Sequence, residues 1–458
     1  MKKLLKFSEQ GFTVISLLLF SGGPLSVLLK GGDSPGDGRE APSSFLSIQI
    51  VFLLLYVVTA VLLSKRWKQI LNLLVKEKYV ALLVGLAVVS VLWSSSPSFT
   101  LRRSIALAGT TFFGLYFATR YRLRKQLHLL GWTFGIAIVL SFLFALFLPE
   151  YGIMGGSFHA GTWRGIYSHK NGLGRVMVLS ASVFLLLATD AKNRFLLWCG
   201  LSLSLVLLVL STSKGALASG IVVLATLALH WILRRRYAAA ITSAIAAAMV
   251  SACLVIQVSA NVYIPLIINS AVADLQNASS ITSPLSAPPD TGASEVKPAS
   301  GEEIAPLQKR PRRVTAENLT TLTGRTKLWP RVLDITKERP WLGYGYNGFW
   351  KVTEESRELQ ANVGEFAKNS HNGLLELWLD LGLVGVAIFI CSFVSFLGRW
   401  VKNARAMQSP IALWPLTYSL SLVLINLTAS DLLERNNIFW LLYVGVVFSG
   451  SFLQKQLE

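Results

Sequence analysis

The chain has 458 residues, of which 53% are hydrophobic and 15% charged, against roughly 25% charged in an ordinary soluble domain. Forty-three Lys and Arg face 24 Asp and Glu, a formal net charge of +19. A chain this apolar cannot be a soluble basic domain, so nucleic-acid binding is excluded and the charge has to be read by position. Cys199, Cys253 and Cys391 each lie in an apolar run, which offers neither a disulfide framework nor a metal knuckle.

A spanning helix needs about 20 mostly apolar residues. Candidates lie near 11–29, 45–63, 79–93, 104–119, 127–148, 173–189, 195–211, 215–233, 238–257, 373–398, 411–428 and 437–453. The expected fold is therefore all-α, a polytopic membrane protein of about twelve transmembrane helices. Every second connection is basic: Lys2, Lys3 and Lys6 before the first span, Lys65 to Lys78 in the second connection, Arg120 to Lys125 in the fourth, Lys192 and Arg194 in the sixth, Arg234 to Arg236 in the eighth, and Arg399, Lys402 and Arg405 after span ten. The positive-inside rule then predicts both termini on the cytoplasmic side of the inner membrane. Arg102 and Arg103, in the third connection, are exceptions to it. Residues 1–257 form the first nine spans on this reading, 258–371 one large periplasmic loop, and 372–458 spans ten to twelve.

Residues 258–372 hold 12 acidic and 13 basic residues. Their Ser, Ala and Pro-rich part, 277–313, reads as a flexible insertion without a core. Residues 318–371 carry Leu328, Trp329, Val332 and Leu333 at helical spacing, which predicts short amphipathic helices on the outer membrane surface.

Cations on the outer side run against the positive-inside trend. Lys214 sits in the short connection between spans seven and eight, and is read either as a headgroup anchor or as an anion ligand. Loop 149–175 holds seven glycines with His159, Arg164, His169, Lys170 and Arg175. Such glycines let backbone N–H groups approach an anion, although the same loop also reads as a plain hairpin between spans. Arg325 opens an amphipathic segment, and His371 stands at the start of span ten, as a base or as a helix cap. Glu376 and Asp380 follow four residues apart, on one face of that span, and are expected to face a polar interior. Fixed cations beside a histidine, without an Asp-x-Asp pair, suit a lipid diphosphate leaving group neutralised without a metal, with histidine as general base toward an acceptor hydroxyl.

At these residues the sequence resembles the bacterial O-antigen ligase and polysaccharide polymerase superfamily. The matching stretches are Arg-Gly-Ile-Tyr-Ser-His-Lys-Asn-Gly-Leu-Gly at 164–174, Ser-Thr-Ser-Lys-Gly-Ala-Leu at 211–217, Gly-Arg-Thr-Lys-Leu-Trp at 324–329, Pro-Trp-Leu-Gly-Tyr-Gly at 340–345, and His-Asn-Gly-Leu-Leu-Glu-Leu-Trp-Leu-Asp-Leu-Gly-Leu-Val-Gly at 371–385. The resemblance covers the chain from about residue 80 to its end. It implies a metal-independent, cofactor-free inverting transferase that takes a glycan from undecaprenyl diphosphate on the periplasmic face. His371 would be the base, and Arg325, Lys214 and Arg164 would hold the diphosphate, with His169, Lys170, Glu376 and Asp380 in support. One departure is that relatives carry arginine where this chain has Lys214. The Ser-His-Lys-Asn-Gly form of the first motif is more similar to exopolysaccharide polymerases than to ligases acting on lipid A-core. The implied partners are the lipid-linked oligosaccharide, an acceptor glycan (growing polysaccharide or lipid A-core), membrane lipids and a chain-length regulator. A flippase or transporter is the competing class. Transporters usually show repeat symmetry and short loops on both faces, whereas this sequence has one large one-sided loop and no visible repeat.

Overall fold

The computed structural model describes residues 2–23, 42–155, 161–190, 194–233, 325–350, 356, 369–406 and 409–457. The expected span at 238–257, the insertion at 277–313 and His159 lie outside the described residues. Among the described residues the fold is helical, with a single isolated β-bridge between Ile153 and Trp163.

The helices are α1 (Lys2–Phe20), α2 (Pro42–Ser64), α3 (Trp67–Lys76), α4 (Lys78–Val89), α5 (Pro97–Arg120), α6 (Leu123–Phe147), α7 (Lys170–Asp190), α8 (Phe195–Leu210), α9 (Lys214–Leu233), α10 (Arg325–Glu338), α11 (Gly373–Ala406), α12 (Trp414–Asn426) and α13 (Ile438–Leu457), besides shorter turns. Among the described residues four stretches are long and apolar enough to cross a membrane: Leu46–Ser64, Leu123–Phe147, Lys170–Asp190 and Gly373–Lys402. Shorter apolar helices stand at most of the other expected spans. One helix was not expected. The basic second connection contains α3, whose Ile70 and Leu73 are buried while Trp67 and Val75 are exposed, the pattern of a helix lying along a surface.

Apolar helices gain little from the hydrophobic effect against one another inside a bilayer, so close packing and satisfied polar groups hold the bundle together. A Cβ on Gly114 of α5 would lie 2.7 Å from Val444 Cβ of α13, so the missing side chain lets these two helices touch. The large rings at the centre have their polar tips bonded: Trp440 Nε1 donates to Thr111 Oγ1 at 2.9 Å, and Tyr443 Oη lies 2.7 Å from Ser392 Oγ.

Three ion pairs among the described residues tie helices together at one end of the bundle. Arg120 forks onto Glu9 at 2.5 and 2.7 Å, Arg399 reaches Glu77 at 2.5 Å, Arg124 pairs with Asp190, and Arg66 donates to the Thr119 carbonyl at 2.5 Å. Every motif named above that falls among the described residues is at the opposite end. There Trp163 N donates to Leu210 O, Ser213 Oγ to Asn171 Oδ1, and Trp93 Nε1 to Leu342 O.

At that end stands a small unit with its own core. Leu328, Trp329, Val332 and Leu333 of α10 pack with Tyr344, Phe349 and Trp350 and with Leu375 and Leu379 from the first turns of α11. The boundary drawn at residue 371 thus falls inside this unit. The expected continuous span from 373 is also interrupted, because Gly382 has φ +67 and ψ −171. Only glycine adopts that conformation easily. A Cβ there would meet the Trp341 carbonyl carbon and oxygen at 2.1 Å. The helix resumes with Leu383 N bonded to Pro340 O at 2.8 Å and Val384 N to Trp341 O at 3.2 Å, so the outer turn itself caps the following helix.

Candidate active site

The site is built around the entry into α11. Asn372 Oδ1 accepts from the backbone N–H groups of Leu374 and Leu375 at 3.1 Å each, which makes Asn372 the cap of this helix. His371 has φ +54, and its own N–H bonds to Asn369 Oδ1 at 3.1 Å. Its imidazole is therefore spared the capping role. Glu376 folds back toward this turn: one carboxylate oxygen accepts from Ser370 N and the other from Trp350 Nε1, both at 2.7 Å. These two bonds hold the backbone on which His371 sits.

Helix α10 is fastened to the same turn through Trp329 Nε1, which donates to Ser370 O at 2.9 Å. Arg325 lies four residues earlier, one helical turn away and on the same side, which directs it toward His371. Arg175 of α7 approaches from the bundle. Burial first, then the charges of Arg325 and Arg175, push the His371 imidazole down to about 4. Burial and Arg175 likewise lower Arg325. Three groups thus share one small volume: a neutral imidazole and two guanidinium cations.

Arg175 is held by Asp431, in the connection between α12 and α13. That carboxylate also accepts from Asn437 Nδ2 at 2.9 Å, and Asp431 N donates to Asn426 Oδ1 at 2.8 Å. Ser430, one residue earlier, accepts from Asn372 N at 3.1 Å, tying this connection to the His371 turn. The sequence reading placed Arg175 among the loop cations but gave it no role. Its partner lies 256 positions away in the chain.

The two lysines form a neighbouring pair. Lys170, the first residue of α7, and the exposed Lys214, the first of α9, lie within each other's charge range. Lys170 Nζ also reaches Thr212 Oγ1 at 3.4 Å. The close approach comes from Gly174, whose added Cβ would lie 2.9 Å from both Ala216 Cβ and Ser211 Oγ. A Cβ on Gly215 would lie 2.4 Å from Thr428 Oγ1, so this pair abuts the connection that holds Asp431.

The remaining expected residues stand elsewhere. Arg164 is buried, and its guanidinium donates to the carbonyls of Tyr151 and Glu150 at 2.8 Å each, which ties it to the short helix before it in the chain. His169 Nδ1 accepts from Asn171 N at 3.1 Å at the start of α7. Asp380 follows Glu376 by four residues on α11 and is buried. Arg103, the exception to the charge rule, donates to Asn347 Oδ1. Its charge faces the outer turn rather than the lipid headgroups.

A family model described as O-Antigen ligase matches residues 199–390, a range that includes Lys214, Arg325 and His371 but not Arg164, Arg175 or Asp431. The exopolysaccharide production protein ExoQ of Rhizobium meliloti (strain 1021) is 29% identical over 100 residues, which cover 20% of this chain and 23% of ExoQ. The aligned segment thus spans less than a quarter of that relative. Together these two similarities bear out the resemblance to the O-antigen ligase and polysaccharide polymerase superfamily.

Proposed function

We propose that this chain, similar over residues 199–390 to O-antigen ligases, is a membrane transferase that moves a glycan from undecaprenyl diphosphate to a sugar hydroxyl on the periplasmic face. The observation that carries this reading is the geometry of the α11 entry: Asn372 takes the capping role and leaves the His371 imidazole free of it, while Trp329 fastens the Arg325 helix to the same turn. In the reaction, the acceptor O–H gives its proton to His371, and its oxygen bonds to the anomeric carbon. The bond from that carbon to the diphosphate breaks, and its electron pair leaves with undecaprenyl diphosphate. Arg325 and Arg175, with Lys170 and Lys214 adjacent, oppose the charge that develops on the leaving group and take the place a divalent ion would otherwise fill.

The donor also tunes the base. A bound diphosphate offsets the Arg325 and Arg175 charges that help to hold His371 low, so the imidazole becomes more basic once its substrate is in place. Polymerisation of a repeat unit is the first reading, supported by the Ser-His-Lys-Asn-Gly motif and by the name of the ExoQ relative. Ligation to lipid A-core is the second, supported by the description of the matching family. Both termini cytoplasmic and twelve spans are part of this proposal.

The test uses purified protein in vesicles with the lipid-linked donor and reads release of undecaprenyl diphosphate. His371→Gln should lose about 10²- to 10⁴-fold in rate, as expected for a general base. A ladder of products supports polymerase, and single addition to lipid A-core supports ligase. Unchanged turnover in His371→Gln removes the proposed base.

A further inference from the structure

Beside the cationic site lies a second polar cluster that the transfer chemistry does not use. Asn347, in the outer turn with φ +53, belongs to it. Its side-chain oxygen accepts from Arg103, and Glu434 and Asp380 lie within charge range of the same guanidinium. Arg435 pairs with Glu434 at 3.1 Å. Asn347, Arg103, Glu434 and Arg435 are half-buried and rim the site, and Asp380 at its base is 4% exposed. Two buried atoms there make no hydrogen bond among the described residues: Asp380 Oδ1, and Nε of Arg103, whose guanidinium carbon stacks 3.9 Å from the centre of the Phe99 ring.

By formal charge the two carboxyl groups, Asp380 and Glu434, match the two guanidiniums, Arg103 and Arg435. A free anion would meet the carboxylates and a free cation the guanidiniums, so neither is well served. A neutral ligand rich in hydroxyls is, because each hydroxyl both donates to a carboxylate and accepts from a guanidinium. The place also fits. Asp380 stands seven residues beyond Gly373, the first residue of α11, about 10 Å along the helix at 1.5 Å per residue. Glu434 follows Asp431, which holds Arg175, by three residues in one connection.

We propose that Asp380, Glu434, Arg103 and Arg435, grouped with Asn347, bind sugar hydroxyls of the glycan during transfer. This rests on the reading of the neighbouring site as a glycan transferase. The sugars come either from the donor chain or from the acceptor, and both present the same hydroxyl chemistry.

The experiment measures binding without turnover. The probe is the free oligosaccharide released by mild acid from the lipid-linked intermediate of the producing cells, titrated into full-length detergent-purified protein and followed by tryptophan fluorescence. Wild type and His371→Gln should bind it saturably and alike, and Glu434→Gln and Arg435→Ala should bind it about tenfold more weakly, as expected for a charge-assisted hydrogen bond. Because Glu434 and Arg435 lie at the rim, these variants serve even where Asp380→Asn does not fold. In the transfer assay, a KM for acceptor that rises alone in Glu434→Gln assigns the sugars to the acceptor, and a KM for donor that rises alone assigns them to the donor. Equal affinity of Glu434→Gln and wild type, or no saturable binding by wild type, overturns the subsite; a cluster that only latches the outer turn would lower thermal stability in these variants and leave affinity unchanged. The two proposals fail separately. Glu434-dependent binding without any transfer by wild type would sink the transferase reading alone, and transfer without Glu434-dependent binding would sink the subsite alone.

Discussion

The folded protein should lose stability as the pH falls from 6.5 toward 4, and His371 should be responsible for a defined part of that loss. Its imidazole has its pKa near 4 in the folded chain, against an ordinary value of 6.5. Between those values the unfolded chain binds a proton that the folded chain does not. The stability is therefore complete above pH 6.5 and declines as the pH drops through the window. The gap corresponds to at most about 3 kcal/mol, enough to register as a shift of the unfolding midpoint. Thermal unfolding of detergent-purified protein at pH 4 to 7.5 measures it, with His371→Gln as the reference that cannot titrate there. Other acidic groups shift both proteins alike, so the difference between the two curves isolates His371. Arg175→Gln removes one of the charges that depress the imidazole and should shrink the difference. Parallel curves for wild type and His371→Gln would refute the reasoning, because they would mean that the imidazole titrates alike in both states.

Gly382→Ala should destabilise the protein by about 3–5 kcal/mol: a positive φ with an extended ψ costs a non-glycine residue about 1–3, and the new Cβ would force the 340–342 turn away and weaken two hydrogen bonds of about 1 kcal/mol each; unfolding in denaturant reads it. Lys214→Arg should retain transfer and Lys214→Ala should lose most of it, as product formation from the lipid-linked donor will show. Transfer in purified membranes should persist in excess EDTA, and a requirement for magnesium or manganese would overturn the cation mechanism.

The helices were legible because hydropathy alone determines where an apolar segment can lie, and the described helices cover the expected spans at 45–63, 104–119 and 173–189. Helix α3 was hidden because its lysines were counted as loop charges, although Ile70 and Leu73 sit at the spacing of one helical face. The break at Gly382 leaves no trace in hydropathy, since it depends on backbone angles and on a turn forty residues earlier. Glu376 and Asp380 were expected to share a face toward a polar interior, whereas Glu376 turns to the outer unit and bonds Trp350. Arg175 was passed over because a cation early in an apolar helix looks like a headgroup anchor until its distant carboxylate is known. The capping of α11 by Asn372 separates two roles that composition could not, since either residue of a His-Asn pair can cap a helix.

The interruption at Gly382 also bears on how this protein could be recombined. Residues 383 and 384 hang from the carbonyls of Pro340 and Trp341, while the turns that carry His371 are packed into the core of α10. A chimera that exchanges the outer loop but keeps the native 369–384 would pair a foreign turn with a helix start that has lost its caps. One that carries 325–384 as a single cassette would transplant the proposed base, its arginine and their scaffold together, leaving the rest of α11 as a plain apolar rod for the recipient bundle to accept.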